Sequence, residues 1–246
     1  MESSLGIGTF STVFKVKKKT TGLVCAVKIM ANQDNFKAEI DSLEKLNNPG
    51  HPNVIKLFSL FTKKSYLENA MNTYHYTVLE CANEGDLLTF LSQSSSIEEA
   101  SRLGLTRDAI KSVIYLHAKS IYHRDIKMEN FLVFRNEQNF FDVTIKLSDF
   151  NLAKSVEITN EVCGTIQTAS PKAISSQYIS RVQSRFTNYS NKLNDYFSLG
   201  ATLFYIFHGK YPFINDVNVG EKLNHLTPFF RTCPFPVKAY QIEIRR

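Results

Sequence analysis

The character of the chain changes at Asn83-Glu84-Gly85-Asp86. Before that point apolar positions mostly alternate as on half-buried strands, with one helical stretch among them; after it they recur at helical spacing. Between Leu5 and Ile29, Val13, Phe14 and Val16 lead to a turn at Thr20-Thr21-Gly22 and then to Leu23-Val24-Cys25-Ala26-Val27-Lys28-Ile29, which predicts a hairpin and a third strand. Phe36, Ile40, Leu43 and Leu46 share one face of a helix that Asn47-Asn48-Pro49-Gly50 stops. Val54 to Phe61 and Tyr74 to Cys81 complete a mostly antiparallel five-stranded sheet carrying that one helix. Beyond the seam, Leu87 to Leu91 and Ile97 to Lys119 read as helices, the second bearing apolar residues at Leu105, Ala109, Ile110, Val113, Ile114 and Leu116. The polar stretch from Ser155 to Lys192 reads as a long loop, and loops of that length in compact domains usually carry function. The expected fold is α+β in two lobes, with residues 1–81 built on the sheet and 82–246 mainly helical.

Composition narrows the function classes. With 43% hydrophobic residues, 246 positions can bury a sizeable core. Cys25, Cys81, Cys163 and Cys233 lie far apart and form no Cys-x-x-Cys pair, so neither a zinc cage nor a disulfide framework is expected. This predicts a reduced intracellular protein, cytoplasmic or nuclear. Met1 to Leu5 leave no room for a secretory leader, and the most apolar stretch, Phe197 to Phe207, is about half of the ~20 residues that cross a bilayer. No membrane association is expected. The net charge of +6 gathers tightly only at Lys15, Lys17, Lys18 and Lys19, beside the Thr-Thr-Gly turn, so a solvated hairpin tip is preferred to a nucleic-acid footprint.

Three groups of residues carry chemistry. Gly6 and Gly8 fall in a strand-turn-strand context, where the missing β-carbon lets backbone N–H groups approach phosphate oxygens. A strand and not a helix follows, which disfavours a Rossmann site. Lys28 lies in an otherwise apolar strand on the same face as Ala26, and a buried ammonium needs an anionic partner. Glu39, on the next helix, is the natural one because it keeps Ile40, Leu43 and Leu46 in apolar phase; Glu44 is the rival. The third group is His123-Arg124-Asp125-Ile126-Lys127-Met128-Glu129-Asn130, followed nineteen residues after Asn130 by Asp149-Phe150.

On these motifs the chain resembles eukaryotic protein kinases of the serine/threonine type, from Leu5 to about Phe213. The resemblance implies a bilobal kinase-like fold, ATP and Mg2+, and transfer of the γ-phosphoryl group to a protein hydroxyl. It implies that Asp125 orients the attacking hydroxyl, that Asn130 and Asp149 ligate magnesium, that Lys127 balances charge on the γ-phosphoryl group, and that Thr165 contacts Asp125 and Lys127. By the same resemblance Gly6, Gly8 and Ser11 line the phosphate loop, and Lys28 and Glu39 form the phosphate-anchoring pair. Val13, Ala26 and Leu132 would sandwich adenine, Leu79 would be the gatekeeper, the backbone of Glu80 and Ala82 would bond the base, and Asp86 would meet the ribose. Leu43, His123 and Phe150 would stack between the lobes, and Asp195 would anchor the catalytic loop; as a bare helix residue Asp195 could also be an N-cap.

Several positions depart from the family pattern. Ser11 replaces the third loop glycine, and Asn151 the glycine after Asp149-Phe150; asparagine tolerates positive φ, so the loop is expected to turn at Asn151. Ala169-Ser170-Pro171-Lys172 stands where Ala-Pro-Glu is expected, and Ile166 replaces a common proline. The 33 residues after Phe213 are few for the usual last helices, so apolar surface is expected to be exposed unless a regulatory partner covers the shortened C-lobe or the chain is a fragment. Arg124 before Asp125 suggests control through the activation segment, by phosphate on Ser155 or Thr159 or by the fixed charge of Glu157 or Glu161. The competing reading is a pseudokinase that binds nucleotide or acts as a scaffold, for which Asn151, Lys172 and the short C-terminus would speak.

Overall fold

The computed structural model describes residues 3–7, 11–31, 33–67, 70–93, 97–136, 138–139, 142–161, 163–176 and 187–212. Five strands, β1 (Ser3–Ile7), β2 (Ser11–Lys17), β3 (Val24–Met30), β4 (Leu57–Leu67) and β5 (Ala70–Glu80), form one antiparallel sheet in the order β1-β2-β3-β5-β4. Between β3 and β4 lies α1 (Gln33–Leu46). Its buried stripe is Glu39, Ile40, Ser42, Leu43 and Leu46, so a carboxylate shares the face that the apolar residues turn inward.

Beyond Glu80 the chain becomes helical, with α2 (Leu87–Gln93) and α3 (Glu99–Ala118). Asp86 starts α2: its carboxylate accepts from the Thr89 N–H at 2.9 Å and from the Thr89 hydroxyl at 2.8 Å. Helix α3 buries Leu105, Ala109, Val113 and Leu116 in the core shared with β6 (Phe131–Arg135) and β7 (Val143–Leu147), a small antiparallel pair. A 3-10 turn, Met128–Asn130, leads into β6. The long helix α5 (Asn191–His208) begins at Ser190, whose hydroxyl accepts from Leu193 N–H at 3.2 Å, and ends at Gly209 in the left-handed conformation, φ 66°.

One apolar core runs without a break from Ala26 and Leu79 in the sheet, through Leu43 and Leu46 of α1, to Leu105, Leu116, Met128, Phe131, Phe150, Leu199 and Ile206. Site residues from distant parts of the sequence therefore rest on one packed body.

Three expectations change. The fourth and fifth strands are longer than predicted, and Val54 and Ile55 are not in the first sheet. Val54 bridges to Leu147, the Ile55 N–H donates to Leu147 O at 3.0 Å and the Leu147 N–H donates to Asn53 O at 2.9 Å, so an apolar pair that looked like a strand start is drawn to β7. The supposed loop from Ser155 to Lys192 contains β8 (Ile158–Thr159), a short helix α4 at residues 171–176, β9 (Tyr189–Ser190) paired with β8, and the start of α5. Asp195 is not an N-cap, because Ser190 fills that role. The expected shortening of the C-lobe, and the partner that would cover it, rest on residues 213–246, outside the described residues.

Candidate active site

Alternation along β3 turns Ala26 and Lys28 inward, and Lys28 is 5% exposed. Its Nζ donates to Glu39 Oε1 at 2.9 Å and to Asp149 Oδ1 at 2.7 Å. Glu44, the rival partner, is exposed. Burial alone pulls the Lys28 ammonium down, but the charges of Glu39 and Asp149 more than offset it and hold its pKa above the usual lysine value. Burial pushes the Asp149 carboxyl up, and the charge and hydrogen bond of Lys28 outweigh it, so Asp149 sits below the ordinary carboxylate range. For Glu39 burial is the larger influence and the pKa is raised, in keeping with a second oxygen, Oε2, buried without a partner.

The loop from His123 to Asn130 carries the next cluster. The Thr165 hydroxyl donates to Asp125 Oδ1 at 2.7 Å, Lys127 Nζ donates to that hydroxyl at 3.0 Å, and Lys127 Nζ lies 3.0 Å from Asp125 Oδ2. Asn130 Nδ2 donates to the Asp125 backbone oxygen at 2.7 Å, which leaves the amide oxygen of Asn130 as its second polar group. Four residues separated by up to forty positions thus meet around one carboxylate.

A buried aspartate shapes this loop. Asp195 on α5 is 0% exposed and accepts from the His123 N–H and the Arg124 N–H, each at 2.8 Å, and from His117 Nε2 at 3.0 Å. Those bonds hold Arg124 at φ 70°, a conformation that a non-glycine residue keeps only when its surroundings impose it. The His123 ring donates through Nε2 to Ser148 O at 2.9 Å and meets Phe150 edge-on, centroids 5.0 Å apart. Leu43 and Phe150 are both fully buried in the common core.

The chain does turn at Asn151, closed by the Ala153 N–H donating to Phe150 O at 3.0 Å, but without a positive φ at that residue. The positive φ in this segment belongs to Asp149, at 63°, and Asn151 is not among the residues with positive φ. Replacing a glycine there therefore carries no left-handed strain. Gly164 is where a glycine is needed: its φ is 92°, and a β-carbon would lie 2.4 Å from the Arg124 carbonyl oxygen. Lys172 is exposed, so it carries no desolvation cost where a glutamate was expected. The preceding segment is tied to α5 by the Ser170 N–H donating to Asn194 Oδ1 at 2.8 Å and the Ser198 hydroxyl donating to Thr168 O at 2.9 Å.

Along the seam, Ala26 and Leu79 are cross-strand partners in the core, and Val13 and Leu132 pack against the same core from either side. The Glu80 N–H donates to Lys56 O at 3.0 Å, so that group is not available to a base. Ala82 is half-buried in the irregular stretch that follows. Gly6 pairs with Val13 beside a register shift in β1, and Ser11 opens β2; Gly8 lies outside the described residues.

Among the described residues no three His, Cys, Asp or Glu side chains gather as a metal cage. What the site offers is the Asp149 carboxylate, 40% exposed, with Lys28 on one oxygen only, and the amide oxygen of Asn130. Two hard oxygens suit magnesium that is shared with phosphates and keeps several waters.

The sequence matches the protein kinase domain family over residues 1–241. It is 29% identical to the serine/threonine-protein kinase RAD53 of Saccharomyces cerevisiae over 87% of this chain and 26% of that protein. It is 30% identical to CBL-interacting protein kinase 11 of Oryza sativa, over 94% of this chain and 43% of the relative, and 30% identical to myosin light chain kinase A of Dictyostelium discoideum, over 87% and 68%. The chain belongs to the protein kinase family. It spans about a quarter to two thirds of the length of these relatives.

Sequence reasoning missed some of what supports the kinase site. His117 reaches Asp195 from the end of α3, between the rings of Tyr122 and Tyr196; its one signal was a histidine in the last turn of an apolar helix. The Glu80 side chain ties the seam to both lobes, accepting from Lys146 Nζ at 2.6 Å and from the Lys56 N–H at 2.7 Å. Glu84 pairs with Arg135 at 2.6 Å, a contact that no local pattern announces.

Proposed function

We propose that this chain is an ATP-dependent serine/threonine protein kinase domain that works through the residues gathered between Lys28 and Thr165. The observation that carries the reading is the meeting of Lys28, Glu39 and Asp149 in one ion cluster beside Asp125, Lys127, Asn130 and Thr165 in another. Phosphoryl transfer needs little covalent help from the protein; it needs positioning and neutralisation of charge.

In this reading Val13, Ala26, Leu79 and Leu132 enclose the adenine, the Glu80 carbonyl and the Ala82 N–H bond its edge, and Asp86, already capping α2, meets the ribose. Gly6 and Ser11, with Gly8 of the same segment, would approach the phosphates, and Lys28, fixed by Glu39, would meet them from the buried side. Asp149 and Asn130 would hold magnesium, which when bound neutralises phosphate charge. Asp125 orients the acceptor hydroxyl and takes up its proton as the oxygen–phosphorus bond forms and the bond to the ADP leaving group breaks. Lys127 offsets charge on the transferred group, and Thr165 fixes the spacing of Asp125 and Lys127. The acceptor class, serine or threonine, is supported by the Lys127–Thr165 pairing and by the likeness to the serine/threonine-protein kinase RAD53. Among the described residues no helix is long and apolar enough to cross a membrane, and Cys25 and Cys163 are free thiols, which fits a reducing compartment.

Transfer of labelled phosphate from ATP to a generic basic protein, with and without magnesium, tests the reading. Magnesium-dependent labelling is expected from the unmodified chain, and a loss of about a thousandfold or more from Asp125→Ala. Labelling that survives Asp125→Ala and Asp149→Ala alike would overturn the mechanism, and thermal stabilisation by nucleotide without transfer would favour the pseudokinase.

A further inference from the structure

Arg124, immediately before Asp125, is 3% exposed, and a guanidinium that deeply buried requires an anion. The anion it has is internal. Arg124 Nη1 donates to Glu161 Oε2 at 3.3 Å and Nη2 to the Glu161 backbone oxygen at 3.0 Å. Lys154 Nζ donates to both carboxylate oxygens of Glu161, at 2.6 and 2.5 Å, and the Tyr189 hydroxyl donates to the Glu161 backbone oxygen at 2.6 Å. The hydrogen bond of Lys154, followed by the charges of Lys154 and Arg124, keeps the Glu161 carboxyl below its usual pKa despite some burial.

The other anions considered from sequence do not reach Arg124. Glu157 accepts instead from the Tyr122 hydroxyl at 3.3 Å. The Thr159 hydroxyl is already used as acceptor for the Glu161 N–H at 3.1 Å. From Glu161 it is two residues to Cys163, then Gly164 packs on the Arg124 carbonyl and Thr165 bonds Asp125. Glu161 and Thr165 are thus two clamps on one short segment, one on each side of the Arg124–Asp125 peptide.

We propose that Glu161 is the resident anion of Arg124 and a positioning residue for Asp125, so that this kinase keeps its activation segment in working order without a phosphate there. The proposal rests on the kinase reading above. Arg124 and Lys154 together carry two positive charges, and the single carboxylate of Glu161 supplies the bridge that a modified serine or threonine would otherwise have to supply.

The test compares the unmodified chain, freed of phosphate by a phosphatase and checked by mass, with Glu161→Gln and Glu161→Asp. Two readouts are taken: transfer to a generic basic protein, and amide hydrogen exchange over residues 154–165. The phosphate-free chain should keep the kcat of the untreated protein. Glu161→Gln should lose about tenfold in kcat, the worth of charge-assisted hydrogen bonds, with the KM for ATP unchanged, and should exchange faster over the segment. Glu161→Asp should recover much of both. A phosphatase treatment that abolishes turnover, or a Glu161→Gln variant with unchanged kcat, overturns the proposal. If the unmodified chain transfers nothing, the kinase reading falls, and hydrogen exchange alone decides: equal exchange in the chain and in Glu161→Gln overturns the clamp, and faster exchange restored by Glu161→Asp upholds it.

Discussion

Two cation–carboxylate clusters flank the proposed phosphate site, and they are built on opposite terms. In the first, Lys28 and Glu39 are both buried, with side-chain exposures of 7% and 1%. In the second, Arg124 is buried at 3% but its partner Glu161 is 54% exposed. Burial makes the first pair obligatory: removing either member strands a charge where water cannot reach it. In the second, Arg124 keeps backbone acceptors at Leu152 and Glu161 even without the carboxylate, so the exposed Glu161 side chain adds little net stability, yet it decides where a stretch of chain lies. An ion pair can thus serve the fold in one place and the placement of a loop in another, and exposure separates the two.

The sharpest way to break this contrast is at Lys28. Lys28→Met leaves Glu39 buried without its cation and should cost about 3 kcal/mol in urea unfolding, with transfer lost by roughly a thousandfold. Lys28→Met/Glu39→Leu should regain most of the stability and none of the activity. A single variant as stable as the unmodified chain would mean that the pair is not obligatory.

Gly164→Ala comes next, because it disturbs the hinge between the two clamps. Its β-carbon would meet the Arg124 carbonyl oxygen at 2.4 Å from a backbone at φ 92°, and the expected loss is about 1–3 kcal/mol with slower transfer. An alanine variant with unchanged thermal midpoint and turnover would show that the segment has room to move.

The pH dependence of the first cluster is a smaller effect with a definite sign. A carboxyl held below its ordinary value of 3.8, as Asp149 is, contributes stability that is complete above that value and is lost as pH falls through its lower folded value. The difference in thermal midpoint between the unmodified chain and Asp149→Asn should therefore persist from about pH 7 to about pH 4 and close below that. Closure already near pH 6 would detach Asp149 from Lys28. The smallest effect is the stability of Glu161→Gln, expected within about 1 kcal/mol of the unmodified chain. A much larger loss would place Glu161 with the obligatory pairs.

Much of this architecture can be read along the chain. The alternation of Cys25 to Ile29, the helical phase of Ile40, Leu43 and Leu46, and the spacing of Asp125, Asn130 and Asp149 are local patterns, and each survives in the fold. Lys28 demanded a carboxylate simply by being charged in an apolar strand, and the phase of α1 selected Glu39. Asn151 shows the limit of such reading: a residue able to adopt positive φ is not obliged to, and here the positive φ belongs to Asp149, two residues earlier. Val54 and Ile55 show another, since their apolar character is equally satisfied by β7 and by the first sheet, and the choice fell to β7.

Residue type and periodicity were sufficient wherever the controlling interaction lies within a turn of helix or a strand pair, because there the spacing along the chain is the spacing in space. They could not say that His117 would reach Asp195 across 78 positions, or that Glu161 and not Glu157 would face Arg124 across 37. Those meetings depend on how α3, α5 and the activation segment pack on a shared core, and the packing is a property of the whole folded chain.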